Sequence, residues 1–222
     1  MSAVVDREET AAILERALAY PYATPDRSYL YLDGEARELP DGAGADLSAR
    51  APLLSYGANA APDALARKLA ALPGVAMPVM KSELEGFDVV YSAHVSPYGA
   101  VPATLLESPG TTAPIFVVYP TVEQRALLTA SEPNYDLVEV GGVAAYRSKH
   151  GCLAIDGSPV ALAAVRSIGR TLPELDEPAV LERVRAHLSP ELGLGEFVRA
   201  CVEQGGIGPL PNPFVFDGSL PK

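Results

Sequence analysis

The sequence predicts an α+β fold in which a curved, mixed β-sheet is flanked by a few helices. Most of the apolar segments are short, rich in β-branched and aromatic residues, and bounded by glycine or proline turns, as is typical of strands. Few helical patterns lie between them, whereas a doubly wound sheet needs a helix after nearly every strand. At 222 residues and 48% hydrophobic content, the chain suits one generous domain with extensions.

Residues 1–49 are predicted to form an N-terminal extension and linker. An amphipathic pattern predicts a helix over 6–19, and the following segment predicts a hairpin that turns at Asp33–Gly34. The stretch 40–50 has glycines and aspartates without periodicity, which is typical of a linker.

Residues 50–140 are predicted to form the core domain. The order is a strand, turn and helix at 52–72, two extended segments around Glu85–Gly86, two more joined by a turn at 108–111, and a helix at 121–131. Thr121 followed by Gln124 is a capping-box pattern, which favours a helix start at that point.

Residues 141–222 are predicted to add further strands and C-terminal helices that pack on the core. Glycine turns at 141–142, 151 and 157 separate the strands, and helices are expected at about 177–188 and 194–204 before an irregular tail.

The charge balance narrows the classes of partner. The formal net charge is −11, from 28 acidic and 17 basic residues, and no cluster of basic residues offsets it. We therefore expect no nucleic-acid partner and no anionic membrane partner, because both need a basic surface. No apolar run approaches a membrane span and no signal peptide is visible, so we expect a cytoplasmic protein, with a homodimer left open.

Cysteine and histidine offer little for metal chemistry. The two cysteines and three histidines show no metal-ligand spacing, so we expect no structural or catalytic zinc site. His150 and Cys152 alternate along a predicted strand and can share one face, which is compatible with a thiol nucleophile. No orienting acid is evident, and a buried cysteine acting as a small apolar residue is the alternative.

The segment Tyr56–Asn59, "YGAN", lies between a predicted strand and a predicted helix. Asn59 is a candidate N-cap, Pro62 suits the first helical turn, and Arg67 and Lys68 fall on the face opposite the leucines. Free backbone N–H groups at such a turn suit a carboxylate or a developing oxyanion, and small side chains allow close approach. The alternative is a plain strand-to-helix junction.

Glu132 is the second candidate for a functional residue. It ends the 121–131 helix, and Pro133 pushes it out of helical geometry. A carboxyl there can act as a general acid and base, whereas an ordinary solvated glutamate is the alternative.

Several motifs, taken in order, resemble the γ-glutamylcyclotransferase-like family. "YGAN" at 56–59 is similar to the family's Tyr-Gly-Ser-Asn loop, 86–111 looks like its central strand pair with a proline–glycine turn, and 113–135 is similar to its strand, helix, acid and tyrosine. The resemblance covers roughly 50–140. Two departures are Ala58, where the family has serine, and Pro133, where many members have glycine.

This resemblance implies a small mixed β-barrel with flanking helices and a reaction that needs no metal and no cofactor. The α-amine of a small γ-glutamyl substrate would attack its own γ-amide and release 5-oxoproline, with Glu132 as general acid and base. A non-catalytic binding or scaffold member, or an amide hydrolase or exchange variant, are the alternatives. The residues implied to bind the substrate are Tyr56, Gly57, Ala58, Asn59 and Tyr135.

Overall fold

The computed structural model describes residues 2–39, 47 and 50–216. The predicted linker at 40–50 lies almost wholly outside the described residues. In the described part the α-helices are α1 (Ser2–Leu18), α2 (Pro62–Lys68), α3 (Val122–Ala130), α4 (Glu177–Leu188) and α5 (Leu194–Glu203). All five were predicted from periodicity and capping signals, and the capping box of Thr121 and Gln124 is formed as expected.

Twelve strands are found in the same part of the chain. They are β1 (Tyr29–Leu32), β2 (Glu35–Arg37), β3 (Leu53–Ser55), β4 (Met77–Tyr91), β5 (Ala103–Val118), β6 (Tyr135–Val140), β7 (Val143–Ser148), β8 (Cys152–Ile155), β9 (Ser158–Pro159), β10 (Ala161–Leu162), β11 (Glu174–Leu175) and β12 (Val215–Phe216). The β1–β2 hairpin turns at Asp33–Gly34, as predicted.

The main sheet is mixed, which confirms the α+β class. Its order is β11-β10-β4-β5-β3-β7-β6. β1 pairs with the same edge of β4 as β10 does, at the other end of that strand, and β2 pairs with β1. β3 is antiparallel to β5 and parallel to β7. Among the described residues β11 and β6 do not pair with each other, so the sheet stays open and does not close into the small mixed β-barrel that the resemblance implied.

The centre of the sheet is a long antiparallel pair rather than four short segments. β4 and β5 each run unbroken through the turns predicted at Glu85–Gly86 and 108–111. Gly86, with φ of +78°, lies opposite the four residues 108–111, because Glu85 pairs with Thr112 and Phe87 pairs with Glu107. The turn signals therefore produce a bulge that bends the sheet without ending either strand.

The predicted extensions contribute directly to this architecture. β1 pairs with β4, and β7 lies inside the sheet between β3 and β6. Helix α1 packs against α5 and α4. Buried side chains from α1, the sheet and the C-terminal helices form one core, and a second core lies beneath α2 and α3. The domain boundaries at 49 and 140 remain predictions. Strands from both sides of each boundary lie in one sheet.

None of the helices in the described ranges is long and apolar enough to cross a membrane.

Candidate functional site

The Tyr56–Asn59 loop leads from β3 into a 3₁₀ turn at Ala58–Ala60 and then into α2. Pro62 opens α2, as predicted. The N-cap position is Ala61, however, and no side chain caps the helix, so the prediction that Asn59 is the N-cap was wrong. The extra 3₁₀ turn separates Asn59 from the helix start and leaves its side chain available for other contacts.

Position 57 needs a glycine because the side chain of Tyr20 approaches its backbone closely. Its φ of −136° is open to other residues, but a Cβ atom there would lie 2.6 Å from the Tyr20 hydroxyl oxygen. Among the described residues, the backbone N–H groups of Gly57 and Ala58 have no hydrogen-bond acceptor. The lack of a side chain at Gly57 thus makes room for the Tyr20 hydroxyl, and two backbone N–H groups of the loop have no acceptor within the described residues.

Glu132 lies against this loop. α3 ends at Ala130, Ser131 caps it, and the carboxyl of Glu132 then meets Asn59, whose Nδ2 donates to Glu132 Oε1 over 3.1 Å. Asn59 is 8% exposed and the Glu132 side chain 15% exposed. The structure therefore brings together the two sequence candidates that were 73 residues apart.

Lys68 completes the cluster, and sequence reasoning missed it. Its ammonium lies 2.5 Å from Glu132 Oε1 and 2.8 Å from Asn59 Oδ1, and its side chain is only 18% exposed. Lys68 had been placed on the face opposite the leucines. Because it is the last residue of a seven-residue helix, its long side chain can reach back over the helix start. No pattern in the sequence indicates this contact, because the leucine spacing predicts a helix that continues to Leu72.

The oxygens of Glu132 have different surroundings. Oε1 accepts from both Asn59 and Lys68. Oε2 has no hydrogen-bond donor among the residues that the structure describes. One oxygen is therefore anchored by two donors, whereas the other has none within the described residues.

These groups face one pocket. The space between its lining atoms is about 390 Å³, a volume that includes open solvent, and the lining contains the whole of Tyr56–Asn59 together with Lys68, Glu132 and Tyr135. Within that lining, Lys68 and Glu132 are the charged residues. All six residues predicted to bind or act on substrate thus line the same space.

Tyrosine is the most frequent residue in the pocket lining. The tyrosines that line the pocket are Tyr20, Tyr56, Tyr98, Tyr135 and Tyr146. Burial is the main cause that raises the pKa of each hydroxyl, and the negative charge of Glu132 contributes in all five cases. These tyrosines are consequently neutral at physiological pH and serve as hydrogen-bonding groups.

Two of the tyrosines fix the start of β5. Tyr20 Oη accepts from the backbone N–H of Ala103 over 2.7 Å, and Tyr135 Oη donates to the carbonyl of Ala103 over 2.8 Å. Tyr56 donates to the carbonyl of Tyr146. Tyr135 was predicted from the sequence, but Tyr20 belongs to the predicted N-terminal extension and was not.

A second set of contacts holds the segment after Glu132. The Lys149 ammonium donates to the carbonyl of Pro133 over 2.8 Å, the Lys149 N–H donates to the carbonyl of Asn134 over 2.9 Å, and His150 Nε2 lies 3.2 Å from Asn134 Oδ1. Pro133 is thereby held by the segment that follows β7.

The environment of Cys152 does not favour a nucleophile. The thiol is buried, and burial raises its pKa to about 11. The ring of His150 is engaged with Asn134, and no described group of three or more His, Cys, Asp or Glu side chains is placed to hold a metal ion. The alternative of a small buried cysteine describes this residue better.

No family model, curated protein or solved structure matches this chain. Any assignment to a family therefore depends on the motifs and on the geometry of the pocket.

Proposed function

We propose that this protein is a γ-glutamylcyclotransferase-like enzyme that converts a small γ-glutamyl amide to 5-oxoproline and an amine. One observation carries the proposal: the carboxyl of Glu132 and the Tyr56–Asn59 loop meet in one pocket, with Oε2 of the carboxyl unpaired. A general acid and base must lie within hydrogen-bonding reach of the proton that it moves, and this arrangement provides such a position.

The reaction needs no protein nucleophile. Glu132 Oε2 takes a proton from the substrate's α-ammonium, and the freed amine attacks the γ-amide carbon to form a five-membered lactam. Protons removed from the attacking nitrogen pass to the leaving nitrogen as the carbon–nitrogen bond of the amide breaks. The carboxylate is regenerated, and the products are 5-oxoproline and an amine.

The loop supports the step electrostatically. The unpaired N–H groups of Gly57 and Ala58 can donate to the oxyanion that develops on the amide oxygen, where preformed donors are most effective. Neither donor depends on a side chain at position 58, so replacement of the family's serine by alanine leaves this role intact. Because ring closure is intramolecular, holding the substrate folded contributes much of the rate.

A pocket retained for binding alone is the second candidate. The ion pair between Lys68 and Glu132 favours it, since the charge of the carboxylate is already balanced without a ligand. The two candidates differ in whether the bound γ-glutamyl compound is converted.

The deciding assay measures 5-oxoproline release from γ-glutamyl dipeptides, γ-glutamylamines and glutathione. We expect the wild type to cyclise at least one of them and Glu132→Gln to lose about 10²- to 10⁴-fold in kcat, the usual contribution of a general acid and base. Glutamine keeps an oxygen that can accept from Asn59 and Lys68, so the fold should be preserved. Glu123→Gln, an exposed position in the first turn of α3 and outside the pocket lining, is the matched control.

Release by the wild type and by Glu123→Gln, but not by Glu132→Gln, supports the proposal. Equal release by all three proteins would exclude Glu132 as the proton carrier. Binding without release by the wild type would favour the binding protein.

A further inference from the structure

The lysine in the pocket has no part in the proton transfer described above. Among the described residues that line the pocket, Lys68 is the only cation, and within the same residues its ammonium makes two hydrogen bonds, to Glu132 Oε1 and Asn59 Oδ1. A lysine ammonium has three N–H donors, so one of them remains for a ligand. Few lysines are as enclosed as this one, which is 18% exposed.

The pair presents two opposite charges to one ligand. Glu132 Oε2 is unpaired, and Lys68 Nζ lies 2.5 Å from the other oxygen of the same carboxyl. A ligand that carries an ammonium and a carboxylate on the same carbon matches this arrangement, because its two charged groups are also neighbours. A ligand with the ammonium alone would leave the third lysine donor unused.

We propose that Lys68 binds the α-carboxylate of the γ-glutamyl substrate while Glu132 Oε2 takes its α-ammonium. This inference rests on the proposed function. It assigns the Tyr56–Asn59 amides to the reacting carbonyl and the lysine to the carboxylate, so that each end of the glutamyl group has its own partner. Lys68 thereby becomes a specificity residue that selects substrates with a free α-carboxylate.

Two other roles for Lys68 predict different behaviour. A lysine that only positions Glu132 would affect every substrate equally. A lysine that stabilises the oxyanion would lower kcat for every substrate, since all of them develop that charge. A lysine that binds the α-carboxylate affects only substrates that have one, and acts mainly on KM.

The experiment compares two substrates, a γ-glutamyl amide with a free α-carboxylate and the same compound with an α-carboxamide. We expect the wild type to prefer the carboxylate by about tenfold to a hundredfold in kcat/KM, the range for a hydrogen bond to a charged group. Lys68→Met should remove most of that preference through a rise in KM. Lys68→Arg, which keeps the charge, should restore part of it.

Lys81→Met is the matched control. Lys81 pairs with Asp26, is 42% exposed, and lies outside the pocket lining. It should retain the full preference for the carboxylate. An equal loss on both substrates in Lys68→Met, or a preference that survives in it, would overturn the inference.

Titration calorimetry with the same two compounds separates this inference from the proposed function. If the wild type binds the carboxylate form more tightly without converting it, and Lys68→Met abolishes the difference, the inference stands and the cyclotransferase proposal falls. If the wild type binds neither compound, both are overturned. Conversion by a wild type that shows no carboxylate preference would overturn the inference alone.

Discussion

The hydroxyl of Tyr20 lies 2.6 Å from the point that a Cβ atom on Gly57 would occupy. The two residues come from different parts of the chain: Tyr20 follows α1, and Gly57 lies in the loop that lines the pocket. The hydroxyl also accepts from the backbone N–H of Ala103, which fixes it in place. The N-terminal segment thus sets the shape of the candidate site.

We predict that Gly57→Ala destabilises the protein by about 1–3 kcal/mol, the usual cost of overpacking, and lowers activity. In the double variant with Tyr20→Phe the nearest ring carbon would lie 3.6 Å from the new methyl, an ordinary contact. The double variant should therefore lose less stability than the sum of the two single changes, by at least ~0.5 kcal/mol. Urea unfolding of the four proteins measures this difference.

Gly193→Ala is the matched control for that cycle. Gly193 has φ of −69°, and the nearest atom to its added Cβ lies 3.4 Å away. It should show no coupling to Tyr20→Phe. Strict additivity of Gly57→Ala and Tyr20→Phe would mean that the hydroxyl is not what position 57 must avoid.

We predict that Asn59→Ala affects activity more than stability. Its amide holds both Glu132 Oε1 and the Lys68 ammonium, so its loss frees the carboxyl to move. We expect kcat/KM to fall about tenfold to a hundredfold, the worth of a hydrogen bond to a charged group. Were Asn59 a helix cap, the main effect would be a loss of about 1 kcal/mol in stability with little kinetic change.

Parallel steady-state kinetics and thermal melts separate these outcomes. Asn134→Ala serves as a control, because that amide contacts His150 outside the pocket lining. Comparable kinetic losses in both variants would indicate a general loosening of the region rather than a specific role of Asn59.

The parts of the fold that depend on local sequence were predicted well. The capping box of Thr121 and Gln124 marks the start of α3, and Asp33–Gly34 forms the hairpin turn through residues with φ of +50° and +87°. Each signal is contained within a few residues. Neither requires knowledge of what packs against it.

The errors came where distant contacts decide the outcome. Asn59 has the residue type of an N-cap, yet its partners are nine and 73 residues away. The residues predicted as turns at Glu85–Gly86 and 108–111 instead form a bulge within β4 and β5, because pairing along the rest of the two strands outweighs one break in register. Lys68 reaches Glu132 across 64 residues, which helical periodicity cannot indicate.

We predict that His94 makes the protein less stable in mild acid. The residue is 1% exposed, and burial, aided by the neighbouring His150, lowers the pKa of its ring to about 3. The unfolded chain has the ordinary value near 6.5, so it binds a proton between these limits while the folded protein does not. Stability is therefore complete above pH 6.5 and falls as the pH drops towards 3.

Urea unfolding at pH 7.5 and pH 5 tests this dependence. His94→Asn keeps a group that can bond to Ser92, which lies 2.7 Å from His94 Nδ1, but cannot take up the proton. Between the two pH values the wild type should lose ~2 kcal/mol more than the variant, since each pKa unit corresponds to about 1.4 kcal/mol. Equal losses in both proteins would show that His94 is not the titrating group.

Glu177 provides the opposite case. Its side chain is buried at the start of α4, Oε1 accepts from the N–H of Val101 over 2.6 Å, and Oε2 has no partner among the described residues. Burial is the main cause that raises its pKa well above the usual value, and nearby Asp176 adds to it. At a pH between the usual pKa of about 4.5 and the raised pKa of the folded state, the unfolded chain has released the proton while the folded protein retains it. Stability is therefore lost as the pH rises from about 4.5.

We predict that Glu177→Gln stabilises the protein at neutral pH by at least ~1 kcal/mol, because glutamine keeps the acceptor for Val101 and has no charge to release. The difference from the wild type should be small at pH 4 and grow as the pH rises to 7, in thermal melts or urea unfolding. Glu191→Gln, an exposed position just beyond the same helix, should follow the wild type throughout. A constant difference at every pH would assign the effect to packing, and a less stable variant at pH 7 would mean that the folded protein holds Glu177 as a carboxylate.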